Sequence, residues 1–155
     1  MKVLKQYSVA LYSLALLLVI VSSHAYSAVV QVRVDRDNDD AEELISSGDM
    51  YRDSSDLEFA HDSYVGGLQI VGMRFRGVSV PQGASITNAY IQFEVDETDS
   101  GSTSLVIYGQ DVGDANGFAN NDGNISTRTK TSASVNWSPS SWSSVNQLQQ
   151  TPSII

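Results

Sequence analysis

The stretch RFRGVSVPQGASITNAYIQFEVDE, residues 74 to 97, decides the fold class. Ala89, Ile91, Phe93 and Val95 alternate with Tyr90, Gln92, Glu94 and Asp96. A period of two puts one set on each face of a β-strand. Upstream, Val71, Met73 and Phe75 alternate with Arg74 and Arg76, so a strand is expected over residues 68 to 80 with the arginines outward. After Gly77 the apolar parity slips to Val78 and Val80, which suggests a bulge or bend. Pro81-Gln82-Gly83 then reads as a turn. If the two strands are neighbours, Arg74 and Arg76 face Glu94 and Asp96 in exposed pairs of roughly 0.2–1 kcal/mol each.

Working outward, Val30, Val32 and Val34 alternate with polar residues and read as a first strand. The acidic segment DRDNDDAEE, residues 35 to 43, reads as a loop. Residues 56 to 59, 104 to 109 and 128 to 137 read as further strands. Residues 110 to 126, rich in Asn, Asp and Gly, read as a long loop. No stretch sustains a helical period, so the chain is expected to be all-β.

Lys2 and Lys5 precede the apolar run ALYSLALLLVIV, residues 10 to 21, and Ser23-His24-Ala25 follows with small residues at the cleavage positions. Residues 1 to 25 are therefore expected to be a signal peptide, which makes the protein secreted, extracellular or at the cell surface. Its removal leaves 130 of the 155 residues, enough for one domain, 26 to 155. Of the 9 basic residues seven then remain against 18 acidic ones, a net charge of about −11. Such a surface repels nucleic acid and anionic lipid. Cysteine is absent, which excludes thiol catalysis and cysteine zinc sites.

The segments SSDLEF, VGMRFRGVSVPQGASITNAYIQFEVDE, SLVIYG, NISTRTKTSASVNWSPSSW and QTP follow one another over most of residues 29 to 152. Together they resemble a module of large secreted proteins of marine and other environmental bacteria, similar to the jelly-roll β-sandwiches of carbohydrate-binding modules. The resemblance implies an antiparallel jelly-roll-like sandwich and a non-catalytic accessory role in glycan binding or adhesion. Its implied partners are a polysaccharide or cell-surface glycan and the other domains of a larger secreted protein. In that family the segment after QTP continues into a short helix and further strands, so the sandwich is expected to be incomplete at the C-terminus. The alternative function is a structural or matrix module without a small ligand. A hydrolase is a third reading, against which stands the lack of a G-x-S-x-G nucleophile motif; the chain is thus expected not to be an enzyme.

Three candidate sites follow from residue chemistry. Asp35, Asp37 and Asp39 have a D-x-D-x-D spacing that aims carboxylates at a hard cation, and a structural calcium ion is the expected occupant. The EF-hand pattern fails at Asp40 and Ser46, so a calcium ion there needs a distant ligand such as Glu42 or Asp56. Trp137 ends an alternating run and reads as core. Trp142 follows Pro139 in a loop and is the ligand-binding candidate, with Tyr64 beside Gly66-Gly67 as a second.

Overall fold

A computed structural model describes residues 28–155, and the leader expected at residues 1 to 25 lies outside them. The described residues are all-β, with no helix and only antiparallel ladders. Eight strands form: β1 (Asp40–Leu44), β2 (Met50–Tyr51), β3 (His61–Asp62), β4 (Gly67–Met73), β5 (Gln92–Glu94), β6 (Leu105–Gln110), β7 (Lys130–Trp137) and β8 (Leu148–Gln150). They make a four-stranded sheet in the order β2-β1-β4-β3 and two pairs, β5-β8 and β6-β7.

The expected acidic loop holds over residues 35 to 39, but its second half, from Asp40, is a central strand of the largest sheet. β1 pairs with β4 from Asp40↔Met73 to Leu44↔Gln69 and with β2 at Glu42↔Tyr51 and Glu43↔Met50. Asp39, Glu42 and Glu43 are 0%, 2% and 2% exposed. Each carboxylate has found a donor. Arg74 Nη1 lies 3.0 Å from Asp39 Oδ1. Glu42 accepts the Glu58 N–H, and Glu43 Oε2 accepts the N–H groups of Ile125 at 2.7 Å and Ser126 at 2.8 Å. Charge alone argued for solvent, and the donors reverse that argument.

Opposed residues of an antiparallel pair share a face. Ala41, Glu43, Ile70, Gly72 and Met50 therefore lie on one face, and the 111–128 loop closes over it. Phe118 and Ile125 from that loop pack with Ala41, Met50 and Ile70. The loop has no strand, as expected, but Arg128 staples it shut. Its guanidinium donates to the carbonyls of Asn116 at 2.8 Å, Gly117 at 3.0 Å and Asn124 at 2.7 Å, and sits 4.3 Å over the Phe118 ring. The close approach depends on Gly72, because a Cβ there would stand 2.6 Å from Phe118 Cζ. Gly72→Ala is expected to cost about 1–3 kcal/mol through that overlap, read as a lower urea midpoint. An unchanged midpoint would mean that the Phe118 ring swings aside freely.

The strand expected over residues 68 to 80 ends at Met73. Its last rung is Arg74 N–H to the Asp39 carbonyl at 2.6 Å, and Gly77 then takes a φ of 66°, a left-handed bend that carries the chain away. The pairing of Arg74 and Arg76 with Glu94 and Asp96 does not form. β4 instead lies between β1 and β3, and Arg74 turns to buried Asp39. Pro81 to Ala84 makes the expected turn, with Gly83 at φ 81° and Ala84 N–H on the Pro81 carbonyl at 3.1 Å.

Two further expected strands have no ladder. Residues 30 to 34 keep an alternation of burial, with Val32 and Val34 half-buried, but pair with nothing among the described residues. Residues 56 to 59 are half-buried and unpaired, held by the Glu58 N–H on Glu42. The alternation of residues 89 to 95 does hold, with Val95 1% exposed. That segment runs antiparallel to residues 142 to 154 well beyond β5 and β8. Ile154 donates to the Ala89 carbonyl at 2.8 Å, and Asp99 and Trp142 exchange backbone bonds of 2.9 and 2.8 Å. Between them Asn146 and Gln147 both oppose Val95, a bulge in which Asn146 takes a φ of 65°. Beyond the bulge, the Trp142 ring reaches Phe59 of the segment 56–59.

Candidate functional groove

Phe59 is the hub of an aromatic cluster. Its ring meets Phe93, Trp142 and Trp137 edge-on, at centroid distances of 4.9, 5.7 and 6.1 Å. Phe93 and Trp137 stack at 5.5 Å and 15°. Trp137 is 5% exposed, the core residue expected of it. Trp142 is half-buried and lines a groove of about 630 Å³ that opens above this cluster.

Three stretches build the groove. The segment 55–63, which ends in β3, forms one wall and brings Asp56, Glu58 and His61. β5 and the residues after it bring Glu94, Asp96, Glu97 and Asp99. Pro139, Ser140 and Trp142 close the third side. Six carboxylates thus line the groove, with no lysine or arginine beside them. Burial first, then the negative charges of Asp62, Asp56 and Glu97, push the Glu58 carboxyl above its ordinary range. The indole Nε1 of Trp142 is buried and has no acceptor. Buried donors are almost always paired, so this N–H is an exception that calls for a partner.

Just beneath the segment 55–63 lies a second polar layer, on the face of β1 and β4 opposite Phe118. Glu42 is buried there with no basic partner among the described residues. Burial first, and then the charges of Asp62, Glu58 and Asp56, push its carboxyl up to about 7, against a hydrogen bond from the Glu58 N–H that acts the other way. Asp62 is held by Gln69 Nε2 at 3.1 Å and by the N–H groups of Tyr64 at 2.5 Å and Val65 at 3.3 Å. These bonds shape the β3–β4 turn and hold the groove wall against the sheet.

Of the two expected ligand-binding aromatics, Trp142 lies in the groove wall. Tyr64 stands 95% exposed on the β3–β4 turn, outside the groove lining. Of the expected metal ligands, Asp35 and Asp37 are exposed, whereas Asp39 turns inward to Arg74. Its Oδ2 is buried and unpaired. Among the described residues no three His, Asp or Glu side chains converge as a metal-ligand group. The sequence puts Glu94 and Asp96 on one exposed strand face, and its pattern places neither Phe59 nor Glu58 in a site. The available signal was the SSDLEF motif itself, an apolar and acidic stretch that does not alternate cleanly.

The chain has been compared with protein-family models, with curated proteins and with solved structures, and none of them matches it. The resemblance to carbohydrate-binding jelly rolls therefore rests on the quoted motifs alone.

Proposed function

We propose that this chain is a non-catalytic accessory module of a secreted protein, a jelly-roll-like sandwich that binds a glycan in the groove beside Trp142. The observation that carries this reading is the half-buried Trp142 in the wall of an open groove lined by carboxylates. A sugar ring offers an apolar face to an aromatic side chain, and Trp142 supplies one in the groove wall. Carboxylates around it accept hydroxyl protons. Orientation of a small ligand by a few polar groups over an apolar floor is the usual design of such sites.

Affinity electrophoresis through gels carrying neutral or charged polysaccharides tests the reading. Retardation is expected in at least one gel. Trp142→Ala is expected to weaken it at least tenfold, about 1.4 kcal/mol. Trp142→Phe, which keeps an aromatic face and loses the N–H, should fall between the two. Near-ultraviolet circular dichroism checks that each variant is folded. Retardation unchanged in a folded Trp142→Ala protein would remove the groove from the argument. Release of reducing ends would overturn the non-catalytic assignment.

A further inference from the structure

Independently of the glycan-binding reading, we propose that the Val78–Ser79 peptide bond is a processing site for an endopeptidase whose specificity pocket takes a small apolar side chain, and that the cut protein persists as two chains held together without a covalent link. An endopeptidase binds its substrate as an extended strand, so the segment it takes must offer free backbone N–H and C=O groups. The stretch from Phe75 to Val80 has that form. It belongs to no strand, and among the described residues its backbone groups make no hydrogen bond. Every residue from Gly77 to Asn88 is exposed, and Val78 shows 54% of its surface. Gly77, at φ 66°, can swing into an extended conformation without steric cost. Val80 is joined to Pro81, whose ring crowds the residue before it, which leaves the bond after Val78 as the one to open.

The other long connections are tied down. Glu42 holds the segment 56–59 through the Glu58 N–H, and Arg128 and Glu43 hold the 111–128 loop. Trp142 exchanges backbone bonds with Asp99. Val29 and Val30 are also exposed and unpaired among the described residues, but a cut there only shortens the end ahead of β1. A cut after Val78 divides β1 to β4 from β5 to β8. Hydrolysis consumes one water: its oxygen joins the Val78 carbonyl carbon, the C–N bond breaks, and the Ser79 nitrogen takes the proton. The new carboxylate and ammonium groups stand on exposed residues, so neither charge is buried. The two parts remain clasped. Glu43 of the first accepts from Ile125 and Ser126 of the second, Arg52 donates to the Phe118 carbonyl at 3.0 Å, and the Phe59 ring packs on Phe93, Trp137 and Trp142.

Timed digestion of the folded protein with elastase, an endopeptidase of that specificity, is the test. Mass spectrometry and N-terminal sequencing locate the cuts. The bond after Val78 is expected to open roughly tenfold or more faster than any other between β1 and β8, because those others wait for local unfolding. Val78→Asp puts a charge where the pocket needs an apolar group and should slow this cut roughly tenfold or more, whereas Val78→Ala should keep it. Val78 is exposed, so both variants should melt with the parent. Size exclusion should show the two fragments eluting together at the size of the uncut protein. The near-ultraviolet circular dichroism of the aromatic cluster should survive the cut, and the urea midpoint should become dependent on protein concentration. A first internal cut elsewhere, an unchanged rate in Val78→Asp, or no internal cut at a dose that digests the urea-unfolded chain would overturn the site. Fragments that elute apart would overturn the two-chain product.

Discussion

A Glu43→Ala variant is expected to lose about 2–4 kcal/mol of stability, a large share of a single domain's margin. Glu43 is 2% exposed in the middle of β1, and its Oε2 accepts two backbone N–H groups from a loop more than 80 residues away in sequence. Truncation leaves the Ile125 N–H buried without a partner and opens a void between β1 and the loop. Stranding a buried donor costs about 1–3 kcal/mol, and Ser126, being exposed, recovers part of its loss from water. Removing a buried charge returns some desolvation energy, so the estimate stops well short of a buried ion pair. Glu43→Gln separates the terms, because its amide oxygen still accepts. It should retain most of the stability if the acceptor matters more than the charge. Urea unfolding followed by tryptophan fluorescence measures both variants. A loss below about 0.5 kcal/mol for Glu43→Ala would show that Arg128 and Phe118 hold the loop without it.

The central sheet illustrates why pattern reading succeeded for some segments and failed for others. Residues 89 to 95 and 104 to 109 have one buried and one solvated face, and alternation reports that geometry directly. β1 is covered on both faces, by the 111–128 loop on one side and the 56–62 segment on the other. Four consecutive residues, Ala41 to Leu44, are buried there, two of them glutamates. No periodicity survives in such a strand, and composition pointed to solvent. The missing information was the identity of the donors. Ile125, Ser126 and Glu58 contribute backbone N–H groups, which carry no sequence signature at all. Arg74 was visible as a cation, but its partner was assigned by the assumption that consecutive strands pair, and β4 lies against β1 instead.

The groove shows the same division. Trp142 was legible because a tryptophan in a proline-containing loop is unusual. The wall from Asp56 to His61 was not, since its position follows from the Glu42 anchor and from the pairing of β3 with β4. Residues 30 to 34 are the converse case. Their alternation is real in burial, yet among the described residues no strand lies beside them to complete a ladder.

The anchor at Glu42 also sets how stability responds to pH. An ordinary glutamate titrates near 4.5, whereas burial raises Glu42 to about 7. Between those values the folded protein holds a proton that the unfolded chain has released. The folded state binds more protons, so stability falls as pH rises through the window. At about 1.4 kcal/mol per pH unit the fall reaches at most about 3.5 kcal/mol, or roughly 10 °C in melting temperature for a domain of this size. Glu58 and Asp40, both raised with burial as the largest cause, act in the same direction. The protein is therefore expected to melt higher at pH 5 than at pH 8. Glu42→Gln keeps an acceptor for the Glu58 N–H and removes the charge. It should raise the melting temperature at pH 8, change little at pH 5 and flatten the profile between them. Thermal melts of both proteins at four pH values across the window decide the matter. A parent protein as stable at pH 8 as at pH 5 would refute the assignment of the buried charge. A Glu42→Gln protein less stable than its parent at pH 8 would show that the ionised carboxylate serves the fold.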